Sequence, residues 1–198
     1  MRLMVTRLFS PVALFAAVAA LVLAAAPAAQ SATLTYETTL SGPNESPANA
    51  SPGTGFGEAD YDNVAHTLHL HVVFSGLTGT TTASHIHAAT AVALTGTAGV
   101  ATTTPTFAGF PLGVTSGTYD ITLDLTLASS YNPSFVTAHG GTTAGAEAFL
   151  VSSIANGQSY LNVHSSTFGG GEIRGFFVPF DPTPTRAGTW GAIKALYR

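Results

Sequence analysis

Alternating apolar and polar residues predict β-strands along most of this chain. In the clearest stretch, residues 66–74, three aliphatic residues alternate with His69, His71 and Val73. Side chains two residues apart share one face of a strand, so this pattern predicts one buried face. Similar patterning predicts further strands at residues 33–42, 54–61, 117–127, 158–165 and 172–180.

Two of these predictions carry side-chain detail. Within residues 54–61, Phe56 and Tyr61 are the large aromatic residues, and we expect them to anchor the core. Residues 91–107 are rich in threonine and small apolar side chains, which predicts one or two strands with a loop.

Helical patterns come late in the chain. Asn132 precedes Pro133, and proline is favoured in the first helical turn, so a short helix is expected here. Apolar residues at helical spacing over residues 142–154 predict a second helix, which Asn156 and Gly157 would end. Several short strands with late helices predict a mainly β fold, an antiparallel, Greek-key-like β-sandwich over residues 33–180.

The two ends of the chain differ from this domain. Residues 1–32 combine two arginines, a long apolar run and a zone of small residues, which is typical of a cleavable signal peptide. The apolar run is also long enough to serve as a retained membrane anchor. Residues 181–198 form a proline-rich linker and a short amphipathic tail, predicted either to dock elsewhere or to fold back on the domain.

Charge and cysteine content narrow the function. Residues 33–180 contain nine acidic residues and a single basic one, Arg174. Such a domain lacks the lysines and arginines that bind nucleic acid, so metal ions or protein partners suit it better. The chain has no cysteine, so neither disulfides nor a thiol nucleophile are available. An exported protein, secreted, periplasmic or at the cell surface, is expected, with no membrane span after signal cleavage.

Histidines supply the candidate chemistry. His85 and His87 share a strand face, and two imidazoles so placed can bind Zn²⁺ or Cu²⁺. His164 is a candidate third ligand if its strand lies beside theirs, and Asn162 shares its face. Solvent-facing histidines on a sheet are the alternative. The pair His69 and His71 is a weaker candidate, and the isolated His66 and His139 are expected at the surface.

Glu172 and Arg174 share one face of the last strand, and Arg174 is expected to have a fixed carboxylate partner in a structural ion pair. Recognisable catalytic motifs are missing: the sequence contains no nucleophile elbow, phosphate loop or dinucleotide fingerprint. The carboxylates, including Glu45, resemble turn or exposed-strand residues. No catalytic residue is therefore assigned, and an enzyme is the less favoured interpretation.

Four motifs in this order resemble the CHRD domain, named from chordin and also found in exported bacterial proteins. They are residues 40–47, the Ser-Gly-Leu at 75–77 with His-Ile-His at 85–87, Tyr-Leu-Asn-Val-His at 160–164, and Gly-Gly-Glu-Ile-Arg-Gly at 170–175. The resemblance implies a β-sandwich and no established activity. The early family motif runs Glu-Val-Pro-Pro, whereas this chain has Glu45-Ser46-Pro47-Ala48.

Three functions follow as hypotheses. The first is an exported, non-enzymatic binding or structural module, in which His85, His87 and His164 hold a divalent metal. The second is a metalloenzyme, because the His-Ile-His strand also resembles that of copper-zinc superoxide dismutases. The third is a surface or matrix protein without a small ligand.

Overall fold

A computed structural model describes residues 33–181 of the chain. These residues form a mainly β fold with two short α-helices late in the chain, as the sequence predicts. The strands are β1 (Thr33–Ser41), β2 (Thr54–Asp62), β3 (Thr67–Ser75), β4 (Thr81–His87), β5 (Gly117–Asp124), β6 (Tyr160–Ser165), β7 (Ile173–Phe176) and β8 (Val178–Pro179).

All of the strand pairs are antiparallel and belong to one sheet, in the order β4-β6-β7-β1-β2-β3-β5, with β8 paired to β1. The sheet is curled. A Cβ atom on Gly57 of β2 would lie only 3.0 Å from Leu161 of β6, although β6 is three strands away in the order of the sheet. The two halves of the sheet thus face each other across the core, and sandwich-like packing arises within one sheet.

The inner face carries the apolar residues that alternate along each strand. In β3, Leu68, Leu70, Val72 and Phe74 are buried, whereas His69 and His71 point outward. This burial matches the pattern in the sequence.

Phe56 was expected in the core, and this prediction is wrong, because the side chain lies on the outer face and is 38% exposed. The inward positions of β2 are occupied by Gly55, Gly57 and Ala59. Cβ atoms on the two glycines would crowd Leu40 and Leu161, so the core excludes large residues here.

Both predicted helices are present. Helix α1 (Pro133–Ala138) begins after Asn132, whose side chain accepts a hydrogen bond from the amide of Ser134. Helix α2 (Thr143–Ala155) is capped by Thr142.

Helix α2 is tied to the sheet through Glu147. This buried carboxylate accepts a hydrogen bond from the hydroxyl of Tyr61 and lies 2.8 Å from Nδ1 of His66. His66 is half exposed, in keeping with the surface position expected from the sequence, and its partner is this carboxylate. His139 is also in contact with neighbours, since its ring stacks on Phe149 with centroids 3.6 Å apart.

The segment between β4 and β5 differs from the sequence prediction. Instead of one or two strands, residues 88–116 form an irregular loop with isolated bridges. This loop packs along the free edge of β4: the Thr102 hydroxyl accepts a hydrogen bond from the amide of Ile86, and the amide of Phe107 donates to Ser84. The loop therefore covers an edge strand whose backbone groups would otherwise lack partners.

The predicted signal peptide (1–32) and nearly all of the predicted tail (181–198) lie outside the described residues. Among residues 33–181, no helix is long and apolar enough to cross a membrane.

Candidate metal centre

Three neighbouring strands, β4, β6 and β7, place the predicted site residues on one outer face. His85 and His87 alternate with the buried Ser84 and Ile86, so both imidazoles point away from the core. His85 is paired across the ladder with Asn162, whose own partner on β7 is Arg174. The sequence motifs thus become neighbours on one surface.

The structure brings His85, His87 and His164 together. One ring nitrogen from each lies within 4.8 Å of the others. The ring of His85 is central, with its centroid 4.7 Å from those of both other histidines, which lie 6.3 Å from each other. This cluster, defined as the three-histidine centre, is the only group of this kind among residues 33–181.

Each imidazole is oriented by a backbone carbonyl. Nδ1 lies 3.1 Å from the Pro105 oxygen in His85, 2.8 Å from that of Ala98 in His87 and 3.0 Å from that of Gly169 in His164. A carbonyl oxygen only accepts hydrogen bonds, so Nδ1 of each ring must carry the hydrogen. In a neutral imidazole the other nitrogen, Nε2, then bears a free lone pair.

These lone pairs converge. The Nε2 atoms of His85 and His164 lie 3.0 Å apart, so two acceptors face each other without a hydrogen between them in the neutral state. Nε2 of His87 is buried and has no hydrogen-bond partner. A tetrahedral zinc ion with bonds of about 2.0–2.1 Å separates its nitrogen ligands by roughly 3.3 Å. Since one ring nitrogen from each histidine lies within 4.8 Å of the others, the centre could hold one cation.

The electrostatics keep the rings neutral. Burial, together with the neighbouring His87 and His164, lowers the pKa of His85 to about 4. Burial is also the main reason why the pKa of His87 is lowered to about 4, and it lowers the pKa of His164. At neutral pH the centre thus presents unprotonated nitrogens, the form that binds metals.

An aromatic stack supports one side of the centre. The ring of Tyr160 lies parallel to that of His87, with centroids 4.6 Å apart and an interplanar angle of 8°. The guanidinium of Arg174 covers the Tyr160 ring at 4.7 Å. Tyr160 and His87 share the backbone of Ala98 as a hydrogen-bond partner, which fixes their relative positions.

Arg174 does have a carboxylate neighbour, and it is Glu45 rather than Glu172. The Nε atom of Arg174 lies 3.8 Å from Glu45, and its shorter hydrogen bonds go to the carbonyl oxygens of Asn44 (2.6 Å) and Gly96 (3.0 Å). These contacts anchor two loops to β7.

Glu172 has a different role. Its buried carboxylate accepts hydrogen bonds from the Ser51 hydroxyl and from the amides of Thr78 and Gly79. Burial alone would raise the pKa of Glu172, but these bonds and one from Ser165 lower it. Glu172 therefore joins two loops and does not contact the guanidinium.

Sequence reasoning missed Glu45, which was grouped with turn and exposed-strand carboxylates. Its side chain is only 4% exposed. Burial raises the pKa of Glu45 to about 7, although the charge of Arg174 opposes this. One carboxylate oxygen, Oε1, has no hydrogen-bond partner. The position of Glu45 within the motif at residues 40–47 was the only sequence signal that could have identified this residue.

His69 and His71 lie elsewhere on the sheet. They face outward from β3, and Asp120 on β5 contacts both, at 3.0 and 2.9 Å. They share a carboxylate partner and do not join the three-histidine centre.

Comparison with known proteins identifies one family. A sequence-family model for the CHRD domain matches residues 36–177, which include all of the site residues above. No curated protein and no solved structure matches the chain.

Proposed function

The chain belongs to the CHRD domain family, and we propose that it is an exported, non-enzymatic binding module that holds one divalent metal ion. The ligands are the Nε2 atoms of His85, His87 and His164. Export is inferred from residues 1–32, which have the composition of a signal peptide, and CHRD domains are typically extracellular.

One observation carries the metal proposal: all three Nδ1 atoms are committed to backbone carbonyls, and one ring nitrogen from each histidine lies within 4.8 Å of the others. A hydrogen bond on the far nitrogen is what fixes the tautomer and direction of metal-binding histidines. Without a cation, the lone pairs of His85 and His164 repel each other at 3.0 Å. A cation bound between the two nitrogens would attract both lone pairs.

Zinc and copper fit the donor set best. Imidazole nitrogens suit zinc, copper, nickel and iron, whereas calcium and magnesium require oxygen ligands. Three nitrogen ligands leave one position of a tetrahedral ion open, as in sites that bind a further ligand. This arrangement supports a binding module whose metal ion has an exchangeable fourth ligand.

The test is the metal content of the full-length protein purified from its native compartment. We expect about one zinc or copper per chain, and a loss of at least about tenfold in His85→Ala, because the central ring of the cluster is removed. Elemental analysis measures this content directly, and far-UV circular dichroism establishes that the variant is folded.

The matched control is the double variant His69→Ala, His71→Ala. It removes a His-x-His pair from another strand and should retain the metal. An equal metal content in His85→Ala and the unaltered protein would refute the proposed ligands. A metal-free native protein would favour the surface or matrix hypothesis, whereas superoxide removal that depends on His85 would favour the metalloenzyme.

A further inference from the structure

A buried carboxyl group, that of Glu45, has an unsatisfied oxygen. Oε1 of Glu45 is buried without a partner, and Arg174, the nearest cation, directs its hydrogen bonds to backbone carbonyls instead. A buried acceptor without a donor costs about 1–3 kcal/mol, and native proteins contain few of them. A ligand that donates hydrogen bonds would remove this cost.

A second buried acceptor without a partner lies on the ligand-bearing face. Oδ1 of Asn162 is buried and has no donor. Asn162 is directly opposite His85 in the β4–β6 ladder and two residues from His164 on β6. Opposed residues in an antiparallel pair have Cβ atoms about 4.5–5.5 Å apart, so the Asn162 side chain borders the centre.

Gly171 allows the two acceptors to meet. A Cβ atom on Gly171 would lie 2.6 Å from Oε1 of Glu45 and 2.6 and 2.7 Å from Nδ2 and Oδ1 of Asn162, so the Glu45 oxygen and the Asn162 amide flank the same point. The backbone of Gly171 has φ +130°, a conformation that favours glycine. The chain thus keeps a side chain out of the space between the two oxygens.

We infer that Asn162 and Glu45 form the outer wall of the three-histidine centre and accept hydrogen bonds from a water or other hydroxyl ligand at the open coordination position. The inference rests on the metal-binding function proposed above. Water offers two hydrogens and can satisfy two acceptors at once. A small anion has none to donate, and the Glu45 carboxylate repels it.

A cavity lies on the Glu45 side of this wall. It has a volume of ≈ 300 Å³ and is lined by Glu45, Asn49, Phe168 and Gly171, among others. This volume is at the lower end of the range of about 300–1,000 Å³ for small-molecule sites, so it admits water and small hydroxyl compounds. Ligands of this class can therefore reach the Glu45 side of the wall.

The experiment measures anion binding to the cobalt-loaded, full-length protein. Cobalt(II) replaces zinc and gives a visible spectrum that changes when azide coordinates. At pH 8, where the Glu45 carboxylate is mostly charged, azide should bind weakly to the unaltered protein. In Glu45→Gln we expect azide to bind at least about tenfold more tightly, because the carboxylate charge is removed while the neighbouring Arg174 cation remains.

Two further variants make the result specific. Glu58→Gln makes the same chemical change on β2, opposite His71, and should leave azide affinity within about twofold. Asn162→Leu removes the second acceptor at similar volume, and it should also tighten azide binding. This variant still tests the wall if Glu45→Gln does not fold.

The outcomes separate this inference from the metal proposal. Unchanged azide affinity in both wall variants, with cobalt bound normally, would overturn the wall and leave the metal site intact. Loss of cobalt from Glu45→Gln alone would make Glu45 a ligand, which also overturns the wall. Failure of the unaltered protein to bind cobalt, zinc or copper would refute the metal proposal and the inference together.

Discussion

Single backbone contacts decide what the three histidines can do. A histidine on a sheet surface is free to rotate and to use either nitrogen, so its type alone predicts little. Here the carbonyls of Pro105, Ala98 and Gly169 fix the tautomer and direction of each ring. These carbonyls belong to loops remote in sequence from their histidines, apart from Gly169, which follows His164 closely.

Gly171 offers a test at the scale of one residue. We expect Gly171→Ala to lower the free energy of unfolding by about 2 kcal/mol or more, because the new Cβ would clash with Glu45 and Asn162 and the backbone has φ +130°. Urea unfolding measures the change.

The neighbouring glycine is the control. A Cβ on Gly170 would meet nothing within 4 Å, so Gly170→Ala should change stability by less than about 0.5–1 kcal/mol. Equal effects of the two substitutions would show that the packing around Gly171 is not the constraint.

At the scale of elements, the site depends on loops fastened to strands. Strand β4 lies at one edge of the sheet, and residues 88–116 cover that edge while supplying the carbonyls that orient His85 and His87. Alternation in the sequence identified the strands because burial of one face imposes a period of two. The covering loop has no such period, so its conformation was predicted incorrectly.

Glu172 fastens two loops to the start of β7, and its replacement tests this role. In Glu172→Gln, one carboxylate oxygen becomes an NH2 group, which donates and so cannot accept from whichever backbone amide, that of Thr78 or that of Gly79, it faces. We expect a loss of about 2–4 kcal/mol in the free energy of unfolding, measured in urea at pH 7.

Glu37→Gln is the matched control for Glu172→Gln, because Glu37 is partly exposed on the outer face of β1. It should change stability by less than about 0.5 kcal/mol. A similarly small effect of Glu172→Gln would contradict the fastening role.

For the molecule as a whole, the buried histidines predict a dependence of stability on pH. In the metal-free protein, the folded pKa of His85 is about 4, below its ordinary value of 6.5. As pH falls from 6.5 towards 4, the unfolded chain binds the proton first, so folding stability is lost over this range. Glu45, with a raised pKa, acts in the opposite direction as pH falls from 7 to 4.5.

His85→Gln isolates the histidine contribution. We expect the stability advantage of the unaltered protein over this variant to shrink by about 2–3 kcal/mol between pH 8 and pH 4. Urea unfolding at a series of pH values, with the metal removed, measures it. His71→Gln, at an exposed position on β3, serves as control, and a constant difference for His85→Gln would argue against a buried, neutral imidazole.

The sequence by itself determined the β architecture, both helices and the three candidate histidines. Strand alternation and helix caps are local patterns with local physical causes, and they can be recognised without knowing the fold. The four motifs indicated the CHRD family for the same reason, since their order and spacing are properties of the chain itself.

Tertiary structure alone decided how these residues are combined. The convergence of His85, His87 and His164 depends on β4 pairing with β6, and the burial of Glu45 depends on a loop packing beside β7. Neither the convergence of the histidines nor the burial of Glu45 produces a periodic pattern in the sequence, because a contact between distant segments imposes no repeat on either segment. Phe56 illustrates the same limit: alternation indicated a strand, but Leu40 and Leu161 decided which face had room for a large side chain.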